Sequence, residues 1–512
     1  DPACQRAGPS HARPDIDYTS SPIALPAGTQ NFQSQTNGGV TYTFIPPGPD
    51  YRLLAVFISD GIATVNITPP VGANNEHFRV IPSQPGWAKT AGTASGDTRA
   101  WGVAVDGAGN SYVAGEISNG VDFGGGALSA AGFDIFVVKY DAAGTYQWSK
   151  GFGSPGADEA RAITCDNAEN SYITGFYSGS INFGGGVRPM LGLNDAFVLK
   201  LDPSGAWVWD VEWGSGNDDR GWGIGINAGG TEVGLTGFHA GAINFGGGSR
   251  AGNCRYLVRL NAGSGGYVWD APWVGVPQGT NIFGDCEYDS IGNLYVTGHF
   301  PGMVDFGGGI RTSLGTDDIF LVKFNNAGAF VWDREFGGSD TEVGQSMCVD
   351  HADNPIVAGK SFGAVTYMSG FAPDDHQYVV KYNSAGTVQW DYFYNGTGSN
   401  WGVAVDPTNN VYFTGGVIGS PNFGGGARNS GGGFMPELVK LNSSGIYQWD
   451  AIFAVGGGVN YAFGLAAASD GSFRLAGNFT GTKDFDPGAA VYNQTAPGSG
   501  YAMYNCRING TG

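Results

Sequence analysis

Basic residues and long apolar runs are both scarce in this sequence. Only 14% of the residues are charged, with 25 Lys and Arg against 45 Asp and Glu, so the net charge is −20. Nucleic acids and anionic membrane surfaces attract basic proteins, and the charge argues against both as partners. The longest apolar run, Leu53 to Ile58, is far shorter than the ~20 residues of a membrane-spanning helix. We therefore expect no membrane insertion.

Motifs for metals, redox chemistry and nucleotides are also missing. The six cysteines form no C-x-x-C pair, which leaves zinc-ribbon and thioredoxin-like sites without support. None of the six histidines has H-x-x-x-H or H-E-x-x-H spacing, and no P-loop, Rossmann or G-x-S-x-G pattern occurs. We therefore expect no catalytic residue, no metal site and no cofactor.

The chain is instead rich in glycine and aromatic residues. Glycine contributes 90 of 512 residues and aromatic residues make up 13%. Disordered chains are poor in aromatic residues, so the glycines are expected in tight turns between aromatic-rich strands.

Seven tryptophans mark a repeat of about sixty residues. They follow one another at intervals of 58 to 63 residues. These predicted structural anchors are Trp87, Trp148, Trp209, Trp269, Trp332, Trp390 and Trp449.

One copy of the repeat predicts four antiparallel strands. It reads WGVAVDGAGNSYVAG at 101–115, VDFGGG at 121–126 and DIFVVKYDAAGTYQW at 134–148. Alternating apolar residues predict strands, and the turns Asp106–Gly109 and Asp141–Gly144 join them as hairpins. No helical periodicity of any length occurs. The fold class is therefore all-β.

Repeated four-stranded sheets of this length form a β-propeller. Seven fourth-type strands can be counted, and the first of them, 87–92, precedes the first complete copy. We predict that strand 87–92 completes the last blade beside 501–508 and closes a ring of seven blades, which leaves no open sheet edge. The predicted domains are an N-terminal module, 1–86, and the propeller, 87–512.

The repeated motifs D-x-x-G-N-x-Y-V-x-G, F-G-G-G, D-x-F-V-x-K and G-x-x-x-W resemble the SBBP-type repeat of secreted bacterial seven-bladed propellers. The resemblance covers about residues 87–510 and implies export and a propeller, but no single activity. The chain also opens without a basic and apolar signal segment, and Asp1 looks like a processed start.

The N-terminal module contains an extended, polar arm at 1–39 and three strand-like runs, at 40–45, 53–58 and 63–67. The arm is expected either to wrap on its own ring or to pair with a second molecule by strand addition. The second alternative would make it an assembly element.

The F-G-G-G loops each follow an Asp or Asn, such as Asp122. A ring of calcium ligands is one interpretation, but each loop offers one oxygen-bearing side chain and calcium needs six to eight oxygens. A glycine turn with a buried Phe is the favoured interpretation, and the aspartates at Asp106 and its equivalents are interpreted as turn caps.

Two disulfides are predicted from the spacing of the repeats. Cys254 and Cys286 fall in neighbouring blades, and Cys4 with Cys506 would fasten the arm to the closing blade. Cys165 and Cys348, in blades that are not adjacent, are expected to be free and buried.

These observations favour a non-enzymatic extracellular scaffold, on the cell surface or forming filaments, whose partners are further copies of itself or other surface proteins. A glycan-binding, lectin-like propeller is the first alternative. A secreted polysaccharide hydrolase or lyase is the second, with Glu116, Glu232 and Glu287 as acids that the fold could bring to the channel mouth.

Overall fold

The computed structural model describes residues 86–509 apart from 253, 272, 274–283, 368–369, 373–374, 431, 454–459 and 486–491, together with four strands nearer the N-terminus. The chain forms two compact units, Asp1–Val80 and Ile81–Gly512. Within the described residues, no helix is long and apolar enough to cross a membrane.

The first unit contains two antiparallel hairpins. Gln35–Asn37 pairs with Val40–Tyr42, and Arg52–Ser59 pairs with Ile62–Thr68. These strands overlap the three strand-like runs of the sequence. The predicted arm, 1–39, lies outside the described residues apart from Gln35–Asn37.

The second unit is a seven-bladed β-propeller, as predicted. Each blade is a sheet of four strands, which we name A to D from the inside outward, with consecutive strands antiparallel. The A strands are Thr98–Val105, Glu159–Cys165, Asp219–Ile226, Gly284–Tyr288, Glu342–Val349, Thr397–Val405 and Tyr461–Ala467. The B strands are Ser111–Ser118, Ser171–Tyr177, Glu232–His239, Leu294–Phe300, Pro355–Ser361, Val411–Ile418 and Ser472–Phe479.

The outer strands complete each blade. The C strands are Phe133–Tyr140, Asp195–Leu201, Cys254–Asn261, Asp318–Phe324, His376–Tyr382, Glu437–Leu441 and Ala502–Asn509. The D strands are Tyr146–Phe152, Trp207–Trp213, Tyr267–Ala271, Phe330–Phe336, Val388–Asn395, Tyr447–Ile452 and, for blade seven, Trp87–Ala91.

Short rim hairpins join strands B and C. Their paired segments are Val121–Asp122 with Ala127–Leu128, Ile181–Asn182 with Val187–Arg188, Ile243–Asn244 with Ser249–Arg250, Met303–Asp305 with Ile310–Thr312, Val365–Thr366 with Phe371–Ala372, and Thr482–Asp484 with Asn493–Thr495. In blade six the same place holds one bridge, between Asn422 and Ala427.

The predicted ring closure is confirmed. Trp87–Ala91 pairs with Met503–Arg507 of strand C, so blade seven is built from two distant parts of the chain. Blade seven also bonds blade one, because the Ala100 N–H donates to the Asn478 side chain at 2.7 Å. The core lies between neighbouring blades, where strand C is buried on both faces.

Each D-strand tryptophan reaches into the next blade. The Trp87 indole N–H donates to the Ala142 carbonyl at 3.0 Å, in the C–D turn of blade one, and Trp148 donates to Pro203 at 2.9 Å. The Trp87 ring lies so close to this turn that a Cβ on Gly144 would sit 2.6 Å from a ring carbon. The tryptophan and the turn glycine of the repeat are therefore one interblade contact.

The repeated aspartates and F-G-G-G loops have structural roles. Asp106 accepts hydrogen bonds from the Ala108 and Asn110 N–H groups, as a turn cap does. Asp122 accepts from Gly124 N–H at 2.7 Å and Gly126 N–H at 3.0 Å, and these bonds lower the pKa of its carboxyl. Its oxygen is thus already used by the loop backbone.

The predicted Cys254–Cys286 disulfide is wrong, because both thiols are free. Cys254 opens a C strand and Cys286 lies in an A strand. Strands A and C lie two strand spacings apart, roughly 9–10 Å, in their distance from the axis of the ring. The Cα atoms of a disulfide lie only about 4.4–6.8 Å apart. Cys506 is also a free, buried thiol, and its predicted partner, Cys4, lies outside the described residues.

Candidate binding site in the central channel

One position of strand A differs sharply from the small residues around it. It lies five residues before the residue that opens the A–B turn, such as Asp106 in blade one. Six blades have a large side chain there and blade four has Gly284. The large residues are Trp101, Arg161, Trp222, Gln345, Trp401 and Phe463.

A β-bulge turns these six side chains inward. In blade one, Ala100 pairs with Gly115 and Gly102 with Ala114, so Trp101 is the extra residue of the ladder. A bulge inserts one unpaired residue and re-aims its side chain. The same shift occurs in the other five blades. In blade four the ladder is regular from Gly284 to Tyr288.

The bulge residues touch one another in an arc, which we call the aromatic arc. The Arg161 guanidinium lies 4.5 Å from the Trp222 ring and 4.8 Å from the Trp101 ring. Phe463 then lies 4.6 Å from Trp101 and 4.8 Å from Trp401, between ring centroids. The arc runs from blade three through blade one to blade six.

Gln345 of blade five extends the aromatic arc. In the orientation that suits both neighbours, its amide oxygen accepts the Trp401 indole N–H at 3.0 Å and its nitrogen donates to the Asn400 carbonyl at 2.8 Å. The arc therefore spans six blades, and among the described residues blade four contributes only Gly284 at this level.

A cavity of about 640 Å³ extends from the aromatic arc along the A strands. Below the arc, most blades line it with small residues such as Gly102 and Ala104 or Gly464 and Ala466. At the corresponding places in the ladder, blade four has two acids, Asp285 and Glu287. Below the arc, the described lining residues of the other six blades carry no acid, so the two carboxyl groups are confined to blade four.

Asp285 is held by the next blade. Its Oδ2 accepts from the Met347 N–H at 3.1 Å and from the Ser346 hydroxyl at 3.4 Å. Its Oδ1 accepts from the Cys286 N–H at 2.9 Å. Loss of water around the carboxyl raises its pKa to about 6, against the opposing effect of these hydrogen bonds.

Glu287 has no such support. Among the described residues, no side-chain donor bonds its carboxylate. Loss of water raises the pKa of Glu287 to about 8, and the neighbouring Asp285 adds to the rise. The Cys348 thiol on blade five lies close enough for the Glu287 charge to contribute to its raised pKa.

Arg161 makes one ion pair in addition to its ring contacts in the aromatic arc. Besides its two indole neighbours, its guanidinium pairs with Glu159 on the same strand. Its buried Nε has no hydrogen-bond acceptor among the described residues. Glu116 of strand B in blade one is buried nearby and pairs with Arg99 at 2.9 Å. Burial raises the pKa of Glu116 to about 7, the Glu159 charge raises it further, and Arg99 lowers it.

The three acids named from the sequence therefore separate. Glu287 lines the channel cavity, whereas Glu116 does not line it and Glu232 pairs with Arg259 on its own blade. The sequence analysis did not name Asp285. An alignment of the seven A strands would have shown that Gly284-Asp285-Cys286-Glu287 places two acids where the other strands have uncharged residues. Cys165 and Cys348 are free as expected, but they are half-buried because they line the cavity.

The similarity of this chain to known proteins is partial. No family model matches the chain, so the resemblance to SBBP-type repeats remains a prediction. An uncharacterized WD repeat-containing protein, L264, of Acanthamoeba polyphaga mimivirus is 30% identical over 122 residues. That match covers 20% of this chain and 9% of the viral protein, so the chain spans less than a tenth of its relative.

Solved propellers align over most of the chain at low identity. The Pan2 WD40 domain of Neurospora crassa covers 81% of this chain and 91% of its own, with 10% identity and a TM-score of 0.37. An ulvan lyase of polysaccharide lyase family PL25 covers 80% of this chain and 96% of its own, with 10% identity and a TM-score of 0.42. Likenesses at this level concern the fold alone.

Proposed function

We propose that this protein is a non-enzymatic binding protein that holds a small ligand in the central channel of its propeller. The break in the repeat at blade four carries the proposal. Six blades keep a large residue in the aromatic arc and small residues below it, whereas blade four has Gly284, Asp285 and Glu287.

Asp285 also bonds the next blade, but Glu287 receives no hydrogen bond from any described side chain that would give it a role in folding. Carboxyl groups with little access to water cost free energy unless they are paired, and six blades form the same strand without them. A concave, mostly apolar cavity with a few converging polar groups of shifted pKa is typical of a ligand site. Its volume of about 640 Å³ lies within the ~300–1,000 Å³ range of such sites.

The lining favours binding over catalysis. Loss of water raises the pKa of the Cys165 and Cys348 thiols, which keeps them protonated and weakly nucleophilic. Among the described residues, no group of three His, Cys, Asp or Glu side chains could hold a metal ion.

Filling the cavity tests the proposal. A panel of cationic, neutral and anionic small molecules and short oligosaccharides is screened by thermal shift, and hits are measured by calorimetry. Ala466→Phe places a ring in the cavity and should weaken every channel ligand at least tenfold. Ala143→Phe, on an exposed C–D turn, is the control and should change nothing.

Two results would oppose the proposal: no ligand in the panel, or ligands that Ala466→Phe leaves unaffected. Channel binding of an oligosaccharide would favour the glycan-binding alternative, and its cleavage would favour the hydrolase or lyase.

A second candidate function, as an extracellular interaction scaffold, is favoured by the rim hairpins. In blade two, Val187, Leu191 and Leu193 are 62–68% exposed, and in blade four Ile310 and Leu314 are 68% and 77% exposed. Exposed apolar residues that lie within a few positions of one another favour an interaction surface at these hairpins. We propose that the rim contacts other surface proteins or further copies of the chain.

Light scattering tests the scaffold. Deletion of 1–39 removes the proposed assembly arm, and Leu191→Asp with Leu193→Asp makes the rim of blade two polar. Either change should lower the particle mass if the chain assembles through that part. A mass equal to one chain before and after both changes would rule out self-assembly, and recovery of the protein from the extracellular fraction would check export.

A further inference from the structure

We infer that the channel cavity takes an organic cation, an ammonium or amidinium group on a compact apolar body, with Glu287 as its counterion and Asp285 as a fixed second acceptor. This inference deepens the proposed channel function and rests on it. Among the described residues that line the cavity, no blade other than blade four has a pair of carboxyl groups.

The charge of the cavity wall is the first step. Among its described lining residues, the charged side chains are Arg161, Asp285 and Glu287. The Arg161 charge is matched by Glu159 and stacked between two indoles. The charge left unmatched on the wall is therefore negative, and it lies on blade four alone.

The hydrogen bonding of the two acids is the second step. Asp285 already accepts from the Met347 and Cys286 N–H groups and the Ser346 hydroxyl, so its orientation is fixed before any ligand enters. Glu287 accepts from no described side chain. A ligand that brings N–H donors would satisfy Glu287, whereas a ligand with only acceptors would face two carboxyl groups.

The shape of the cavity is the third step. Among the described residues, blade four has only Gly284 at the level of the aromatic arc, directly beside Asp285, and the opposite walls carry small side chains such as Ala404 and Ala466. A flat or narrow apolar body fits such a wall, and its cationic end would lie at blade four. Burying a cation is favourable only where a counterion meets it, which selects the orientation.

Protonation of the acids links binding to pH. The titratable groups that face Glu287 are Asp285 and Cys286 on its own strand and Cys348 on blade five. The raised thiol pKa values keep both cysteines neutral, so only the two carboxyls change charge. They are protonated at low pH and both ionise above about pH 8, so the affinity for a cation should rise with pH.

Three molecules of nearly equal shape test the ligand class: benzamidinium, benzamide and benzoate, measured by calorimetry with the full chain. At pH 8.5, benzamidinium should bind at least tenfold more tightly than benzamide, and benzoate should not bind. Lowering the pH to 5.5 should weaken benzamidinium at least fivefold and leave benzamide unchanged.

Glu287→Gln should remove most of the preference for benzamidinium over benzamide and most of its pH dependence. Glu335→Gln, an exposed acid on strand D of the same blade, is the matched control. Glu287→Gln keeps the shape of the side chain and removes an acid that ionises unfavourably. The Glu287→Gln protein should therefore unfold at the same temperature as the parent or higher. Asp285→Asn provides a second, independent variant and should weaken benzamidinium as well.

The outcomes separate the two proposals. The cation inference fails if uncharged or anionic molecules such as benzamide and benzoate bind the cavity and no cation binds more tightly. If Ala466→Phe abolishes the binding of those molecules, the binding function itself stands. If no molecule of any charge binds the cavity, both fail. A preference for benzamidinium that survives Glu287→Gln also overturns the inference.

Discussion

A comparison of two tryptophans offers a direct measurement of how the blades are joined. Trp209 and Trp449 occupy the same place on strand D of blades two and six and are 7% and 8% exposed. Each also lies against a buried tyrosine, with ring centroids 6.1 Å apart for Trp209 and 5.9 Å apart for Trp449. They differ in the indole N–H. That of Trp209 donates to the Ala262 carbonyl at 3.1 Å, whereas that of Trp449 is buried and has no acceptor among the described residues.

Ring closure explains the difference. Five of the seven tryptophans donate to a carbonyl in the C–D turn of the next blade. In blade seven, however, strand C is Ala502–Asn509 and strand D is Trp87–Ala91. No tight turn joins these two strands, and no carbonyl of the described residues accepts the Trp449 N–H. The predicted closure of the ring therefore leaves one interblade hydrogen bond unmade.

The magnitude follows from paired substitutions to phenylalanine. Both remove a similar apolar area, so those costs largely cancel in the difference. Trp209→Phe also loses a hydrogen bond with a net contribution of about 0.5–1.5 kcal/mol, while the Ala262 carbonyl keeps its bond from Lys200 at 2.9 Å. Trp449→Phe removes an unsatisfied buried donor, which relieves about 1–3 kcal/mol.

We expect Trp209→Phe to be less stable than Trp449→Phe by about 1.5–4.5 kcal/mol, the sum of the lost hydrogen bond and the relieved unsatisfied donor. Guanidinium unfolding followed by far-UV circular dichroism measures the difference, with each variant compared with the parent. If Trp449→Phe is as destabilising as Trp209→Phe, the hydrogen bond to the next blade does not contribute as argued.

Three further predictions concern buried groups and close contacts. Burial raises the pKa of Glu437 well above its usual 4.5, so the folded state keeps a proton that the unfolded chain loses. The free energy of unfolding therefore falls as the pH rises above about 4.5. Glu437→Gln should unfold at a higher temperature than the parent at about pH 8 and at a similar temperature near about pH 4. Gly125→Ala should cost about 1–3 kcal/mol, because its Cβ would lie 2.1 Å from the Tyr146 hydroxyl, and most of that cost should vanish in a Tyr146→Ala background. Burial raises the pKa values of the Cys165 and Cys348 thiols, so both should react slowly with maleimide in the native protein. At least five thiols should titrate in denaturant without reductant, and a smaller number would show that a disulfide is present.

Local chemistry made much of the ring predictable. The turn at Asp106 and the glycine at Gly144 are fixed by hydrogen bonds within a few residues and by one neighbouring ring, and both recur in the repeat. The strand 87–92 could be assigned to the last blade because the copies counted along the chain leave one strand over. Such signals need only sequence distance and turn chemistry.

The channel could not be predicted in the same way. A bulge shifts the alternation of side chains by one residue, so the pattern around Trp101 does not reveal that its ring points into the channel. The disulfide prediction failed for a related reason. Cys254 and Cys286 are neighbours in blade order but lie at different distances from the axis, and sequence spacing carries no information about radius.

The sequence by itself determined the all-β class, the count of seven blades, the turns and the strand that closes the ring, because each depends on short-range chemistry that repeats. Only the tertiary structure decided that Gly284, Asp285 and Glu287 share one wall of a cavity with the aromatic arc. Residues from six other blades complete that cavity, and they meet because the ring brings strands hundreds of residues apart to a common axis.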